Sequence, residues 1–219
     1  MDTMDAAVRR FNQGLTPQEL NLMDSLRTPA QVQAFLDETR YPGGEENRSP
    51  QEVLRQRQAH CLDGGLFAAA ALRRIGFPPL IVDLQPDPGM DDDHVLAVYK
   101  INNFWGAVAK SNYSGLRFRE PVYRNLRELV MSYFEDFFNV NGVKTLRYYT
   151  RPINLKRFDR ADWMNTSAGV DWIEVYLKSV KLVPLIPAAQ TALLSPMDQR
   201  SIAAGTLGIN PEGTFHPKS

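Results

Sequence analysis

The chain reads as an α+β protein: short helices first, then a helix beginning near Cys61 packed on an antiparallel sheet, then a helical C-terminal appendage. Three observations lead there. Hydroxyl–proline pairs recur ahead of short apolar-periodic segments in the first quarter, an alanine-rich stretch follows Cys61, and two apolar runs flank Asn102-Asn103. A chain of 219 residues is long enough to bury a core. The reading assigns residues 1–155 to a core domain that includes the N-terminal helices, and 156–219 to an appendage packed on it.

The N-terminal elements follow from capping chemistry. Thr16-Pro17-Gln18-Glu19, Thr28-Pro29-Ala30-Gln31 and Ser49-Pro50-Gln51-Glu52 each place a hydroxyl at the cap, Pro at the first helical position and an acid or amide at the third. Helices are expected over 17–26, 29–38 and 50–58, with a loop over 41–47. After Cys61, Leu62, Leu66, Ala69 and Leu72 fall at helical spacing, and Gly76 with Pro78 supplies the stop. A strand over 80–84 and a turn-rich loop over 85–93 then lead to strands over 94–101 and 104–111, joined by Asn102-Asn103, a pair that tolerates positive φ. A two-residue loop sets His94 opposite Ser111, and one bulge or extra loop residue moves the partner to Asn112.

Further on, the apolar stripe of Leu126, Leu129, Val130, Tyr133, Phe134 and Phe137 predicts a core helix over 125–138. Arg117, Arg119, Arg124 and Arg127 read as surface or ion-paired side chains, since no phosphate loop accompanies them. Asn141-Gly142 turns into a strand over 144–150, and a helix follows over 170–180. The prolines of 182–187 forbid helix and disfavour a central strand. Ser195-Pro196-Met197-Asp198 repeats the start signal, with Gly205 as its stop.

Composition narrows the function. Lys+Arg and Asp+Glu both number 25, so no global field draws the chain to nucleic acid or an anionic membrane. A single cysteine excludes an intrachain disulfide and a multi-cysteine zinc site, and with no metal or phosphate-loop motif no cofactor is expected. The acidic first residues, with no apolar segment after them, lead to the expectation of a cytoplasmic protein outside the membrane.

The chemistry-bearing residues cluster between His60 and Tyr113. Cys61 stands at a helix N-terminus, where free N–H groups favour a thiolate, and Gly64 and Gly65 would leave room for a substrate backbone beside the sulfur. Asp63 disfavours that anion, so a base is needed, and His94 opens the strand that could bring one. Asn112, or alternatively Ser111, would hold the imidazole; a ring reached by neither would favour an inactive scaffold. Gln58, with Gln56 as a neighbour, could join the Cys61 N–H as an oxyanion donor, although helix-surface glutamines suit the pattern as well. Trp105 is a candidate substrate wall whose place in the hairpin equally suits the core. His60 and His216 read as bystanders.

Cys61, the alanine-rich helix, Arg73, Gly76-Phe77-Pro78, the following strand, His94 and Trp105, in this order over residues 49–112, resemble the transglutaminase-like superfamily with its papain-like core. The resemblance implies Cys61 and His94 as nucleophile and base, and acyl transfer through a Cys61 thioester on a peptide or other amide-containing substrate: transamidation, deamidation or peptide cleavage. Hydrolysis is the expectation here, because nothing marks an amine-acceptor site. The sequence departs from the family where the third member is usually Asp, and His60 replaces the aromatic or glutamine common near the nucleophile. Two other functions fit the same residues: a scaffold of this fold without catalysis, and a ligand-binding or regulatory module in which Cys61 senses redox state.

Overall fold

The structure is a computed structural model that describes residues 5–44 and 46–217. It opens with α1 (Ala6–Gln13), α2 (Pro17–Ser25), α3 (Pro29–Asp37) and α4 (Pro50–Gln56). The last three begin where the capping signals put them, with Thr16, Thr28 and Ser49 accepting from the backbone N–H groups of Glu19, Gln31 and Glu52. Helix α1 is additional to the sequence expectation and is capped by Asp5. Helix α4 stops short of residue 58 because Arg57 takes a left-handed conformation with φ 53°, and Gln58 then forms a parallel bridge with Arg40.

The remaining elements are α5 (Cys61–Arg74), β1 (Leu80–Pro86), β2 (His94–Ile101), β3 (Phe104–Val108), β4 (Arg119–Tyr123), α6 (Leu126–Met131), β5 (Leu146–Thr150), β6 (Ile153–Asn154), α7 (Ser167–Leu177), β7 (Leu182–Pro184), α8 (Ala188–Thr191) and α9 (Gln199–Gly205). The strands form one seven-stranded sheet in the order β4-β3-β2-β1-β5-β7, with β6 beside β1. All of its pairings are antiparallel. The α+β class and the helix from Cys61 on an antiparallel sheet are therefore as the sequence predicts.

The β2–β3 hairpin has the two-residue loop, with φ of 50° at Asn102 and 68° at Asn103, and its register runs from Ile101 opposite Phe104 to Ala97 opposite Val108. There it stops. The strand expected to reach residue 111 ends at Val108 because helix α3 takes over the next backbone groups: Ala109 N–H donates to Gln33 Oε1 and Gln33 Nε2 donates to the Ala109 carbonyl, both at 3.0 Å. Lys110 then turns inward and its ammonium donates to the Leu36 carbonyl at 2.8 Å. His94 consequently has no partner on β3, and Ser111 and Asn112 lie in a loop.

Smaller departures have local causes. The helix expected over 125–138 ends at Met131 and continues as turns, though Tyr133, Phe134 and Phe137 are still buried. Helix α9 is capped by Asp198 in place of Ser195, since the carboxylate accepts from both Arg200 N–H and Ser201 N–H at 3.0 Å. The proline-flanked run at 182–184 forms an edge strand on β5, the position where prolines are tolerated.

Both faces of the sheet are covered. Val95, Ala97 and Tyr99 of β2 join Leu66, Phe67 and the alanines of α5 in one core, to which Trp163, Val170 and Ile173 also belong. Leu96 and Val98, of opposite parity, join Leu129, Tyr133 and Phe137 in a second core. Each fully buried large apolar side chain contributes on the order of 1.5–3 kcal/mol. Gly64 and Gly65 serve this packing: a Cβ on Gly64 would lie 2.2 Å from Lys110 Cβ, and one on Gly65 2.8 Å from Val95 Cγ1. They let α5 approach β2 and the start of the 109–112 loop, and the open space expected beside the sulfur is filled by protein.

Candidate active site around Cys61

Cys61 is the first residue of α5 and His94 the first of β2, and both line a small cavity of about 40 Å³ together with Tyr41, Asp93, Ser111, Asn112 and the chain near Gly213 and Phe215. That volume holds about one water and no peptide. Strand alternation decides how the residues enter it. Asp93 and Val95 share a parity, and Val95 packs against α5; His94 has the parity of Leu96 and reaches the second core, where its ring lies 6.5 Å from those of Tyr133 and Phe137. The Cys61 thiol accordingly meets backbone on either side of His94: it donates to the Asp93 carbonyl at 3.5 Å, and Val95 N–H points at the sulfur. Among the described residues no hydrogen bond joins Cys61 to His94.

The imidazole is held by an acceptor that no sequence motif marks. His94 Nε2 lies 2.7 Å from the carbonyl oxygen of Leu116, at the end of the 3-10 turn Ser114–Leu116. A carbonyl only accepts, so Nε2 carries the proton and Nδ1 is left as the ring's acceptor. Burial lowers the imidazole pKa to about 4 against the upward pull of that carbonyl, and the ring is neutral at pH 7. Burial also raises the Cys61 thiol well above its ordinary value, with Asp93, Asp92 and Asp83 adding to the shift. Two neutral groups therefore share the cavity, with no thiolate–imidazolium pair.

The other expected site residues take different places. Asn112 does not reach His94: its Nδ2 donates to the carbonyls of Asn210 at 2.8 Å and Gly213 at 3.1 Å, and its Oδ1 accepts from Asn210 N–H at 2.8 Å. Its polar atoms are thus all engaged with the C-terminal segment. Ser111 Oγ accepts from Tyr113 N–H at 3.0 Å, closing a local turn. Gln58 sits in the bridge with Arg40 and does not line the cavity, because the left-handed turn at Arg57 carries it away from the start of α5. The Cys61 N–H itself is directed at the Tyr41 hydroxyl oxygen. Trp105 lies opposite Lys100, far along the hairpin from His94, with the Lys100 ammonium 4.3 Å from its ring centroid, and packs on the second core.

Neither a protein-family model nor a curated protein matches this chain.

Residues outside the sequence-based set shape that geometry. Asp83, buried, and Asp93, at the surface, form a carboxyl pair on the Cys61 side, bridged by Gln85 Nε2 at 2.5 Å to Asp83 and 3.4 Å to Asp93. Desolvation by the surrounding protein and the neighbouring charge of Asp92 push the Asp93 carboxyl up to about 6, and burial with Asp93 raises Asp83 well above the carboxylate range. Among the described residues Asp83 Oδ1 has no hydrogen-bond partner. Asp63, expected to oppose the thiolate, instead accepts from Arg48 N–H at 2.7 Å and His60 N–H at 3.4 Å and anchors the entry to α5. Alternation along β2 was the readable signal for Asp93, since any residue sharing parity with Val95 and Ala97 faces α5. Tyr41 and the Leu116 carbonyl had no such signal.

Proposed function

We propose that this chain is a cysteine-dependent hydrolase or acyl transferase acting on an amide bond, of transglutaminase-like type, and that the conformation described is its closed, silent one. The observation that carries the reading is the 2.7 Å contact of His94 Nε2 with the Leu116 carbonyl: it orients the ring and reserves Nδ1 as a base in the cavity that Cys61 also lines. In the reaction, Nδ1 takes the thiol proton as sulfur bonds to the substrate carbonyl carbon. The C–N bond then breaks, the amine leaves with the proton from His94, and water or an amine resolves the thioester. The carbonyl favours the imidazolium less than burial disfavours it, so the base is weak until the site opens and rehydrates.

The second reading is the same scaffold without catalysis. It is favoured by Asn112, the expected third member, being fully engaged with the chain's own C-terminal segment. Trapping separates the two. Protein incubated with a glutamine-containing peptide library and analysed by intact-mass spectrometry should carry an acyl adduct on Cys61 that hydroxylamine removes and that Cys61→Ala and His94→Ala lack. Absence of any adduct, even when Cys61 is open to alkylation, establishes the non-catalytic scaffold.

A further inference from the structure

The cavity at Cys61 adjoins a larger one of about 330 Å³, and the two share Tyr41 and the loop Ser111–Tyr113 as walls. The C-terminal segment crosses between them. Ile209 and Asn210 wall the larger cavity, and Gly213 and Phe215 wall the smaller. Asn112 holds this segment through main-chain atoms alone, the Asn210 N–H and the carbonyls of Asn210 and Gly213, and on the other side Asn210 Nδ2 donates to the Tyr41 carbonyl at 3.0 Å. Contacts of that kind read a polypeptide backbone. The fit at Gly213 is close: a Cβ there would come within 2.8 Å of the Pro42 carbonyl oxygen and of the Tyr41 ring. The approach to this stretch is at the surface, with Leu207 80% exposed and Gly208 turning the chain at φ 75°.

We propose that residues 207–215 are an internal occupant of a polypeptide-binding groove that leads to Cys61, and that the groove's external ligand is a peptide presenting a tight turn like that of Asn210–Gly213. The segment restricts access to the half-buried Cys61 because Gly213 and Phe215 wall the cavity that the cysteine lines. The identification of that external peptide as the substrate rests on the reading under Proposed function.

The test uses the full chain and iodoacetamide labelling of Cys61. Gly213→Val clashes with the Tyr41–Pro42 wall, and Asn112→Ala removes the latch without altering the segment. Each should speed labelling by roughly tenfold or more, as loss of a few hydrogen bonds raises the open population. A synthetic peptide of residues 208–217, added to Gly213→Val protein whose circular dichroism matches wild type, should restore slow labelling, and a scrambled peptide should not. Unchanged labelling in both variants, with amide exchange showing the segment released, overturns the occlusion. Faster labelling that the native peptide does not reverse overturns the polypeptide groove. Neither readout needs catalysis, so peptide protection without acyl trapping would leave the groove standing and remove only the enzymatic reading.

Discussion

His94 donates its Nε2–H to the Leu116 carbonyl across 2.7 Å, and this contact decides the tautomer of the ring while burial decides its charge. Long-range ¹H–¹⁵N NMR should show a single Nε2–H tautomer that does not titrate until about pH 4. The folded pKa lies below the ordinary 6.5, so between those values the unfolded chain binds more protons than the folded one. The stability contributed by keeping this ring neutral is present above about pH 6.5 and is lost as pH falls towards 4. With about 1.4 kcal/mol per pKa unit the effect is on the order of 3 kcal/mol. His94→Gln, which keeps a donor for Leu116, should flatten that part of a denaturation-versus-pH curve; an unchanged curve would show that the fold does not shift the ring's pKa.

The Cys61 thiol faces the Asp93 side of β2, and Asp93 is the leading charge that holds it protonated after burial itself. Alkylation of wild-type protein should therefore rise only at pH values above those of an ordinary thiol. Asp93→Asn removes the negative charge, and the midpoint of labelling should move down. A midpoint that stays in place would show that burial alone sets the thiol.

Much of this architecture was legible because it is local. The hydroxyl–proline caps located α2, α3 and α4, the alanine run located α5, and Asn102-Asn103 set the hairpin register. What failed was set by contacts distant in sequence. Gln33 captures Ala109 and ends β3, which removes the frame in which Ser111 or Asn112 could face His94. The Leu116 carbonyl is backbone and has no residue signature. Asn210-Pro211-Glu212-Gly213 forms a turn in what reads from sequence as a frayed tail, and nothing in its chemistry says that it docks on Asn112.

Arg73 ties the two ends of the first core together. Its guanidinium, with a side chain 3% exposed, binds Asp5 at 2.7 Å and both carboxylate oxygens of Asp159 at 2.7 Å, joining α1, α5 and the turn before Trp163. Arg73→Ala leaves two carboxylates around an empty cation position and should cost about 3–5 kcal/mol, measured by urea denaturation. Arg73→Lys should recover only part, since an ammonium cannot meet two carboxylates with fixed paired donors. A loss below about 1 kcal/mol for Arg73→Ala would place the cluster among surface pairs.

Asn112→Asp separates the two roles open to this residue. If Asn112 oriented His94, a carboxylate there would raise the imidazole pKa towards neutrality and strengthen the site. The structure instead gives its amide nitrogen two carbonyl acceptors, Asn210 and Gly213, and its oxygen one N–H donor. A carboxylate keeps the accepted bond but faces two carbonyls with no proton to offer, so it repels the segment that the amide holds. The expected outcome is faster amide exchange across residues 209–215, a local loss of about 1–3 kcal/mol, and a His94 titration unchanged from wild type. Asn112→Ala should release the segment less strongly, because it removes donors without adding repulsion. A His94 pKa that climbs in Asn112→Asp, with exchange at the C-terminal segment unaltered, would return Asn112 to the catalytic role and reverse the assignment made from these contacts.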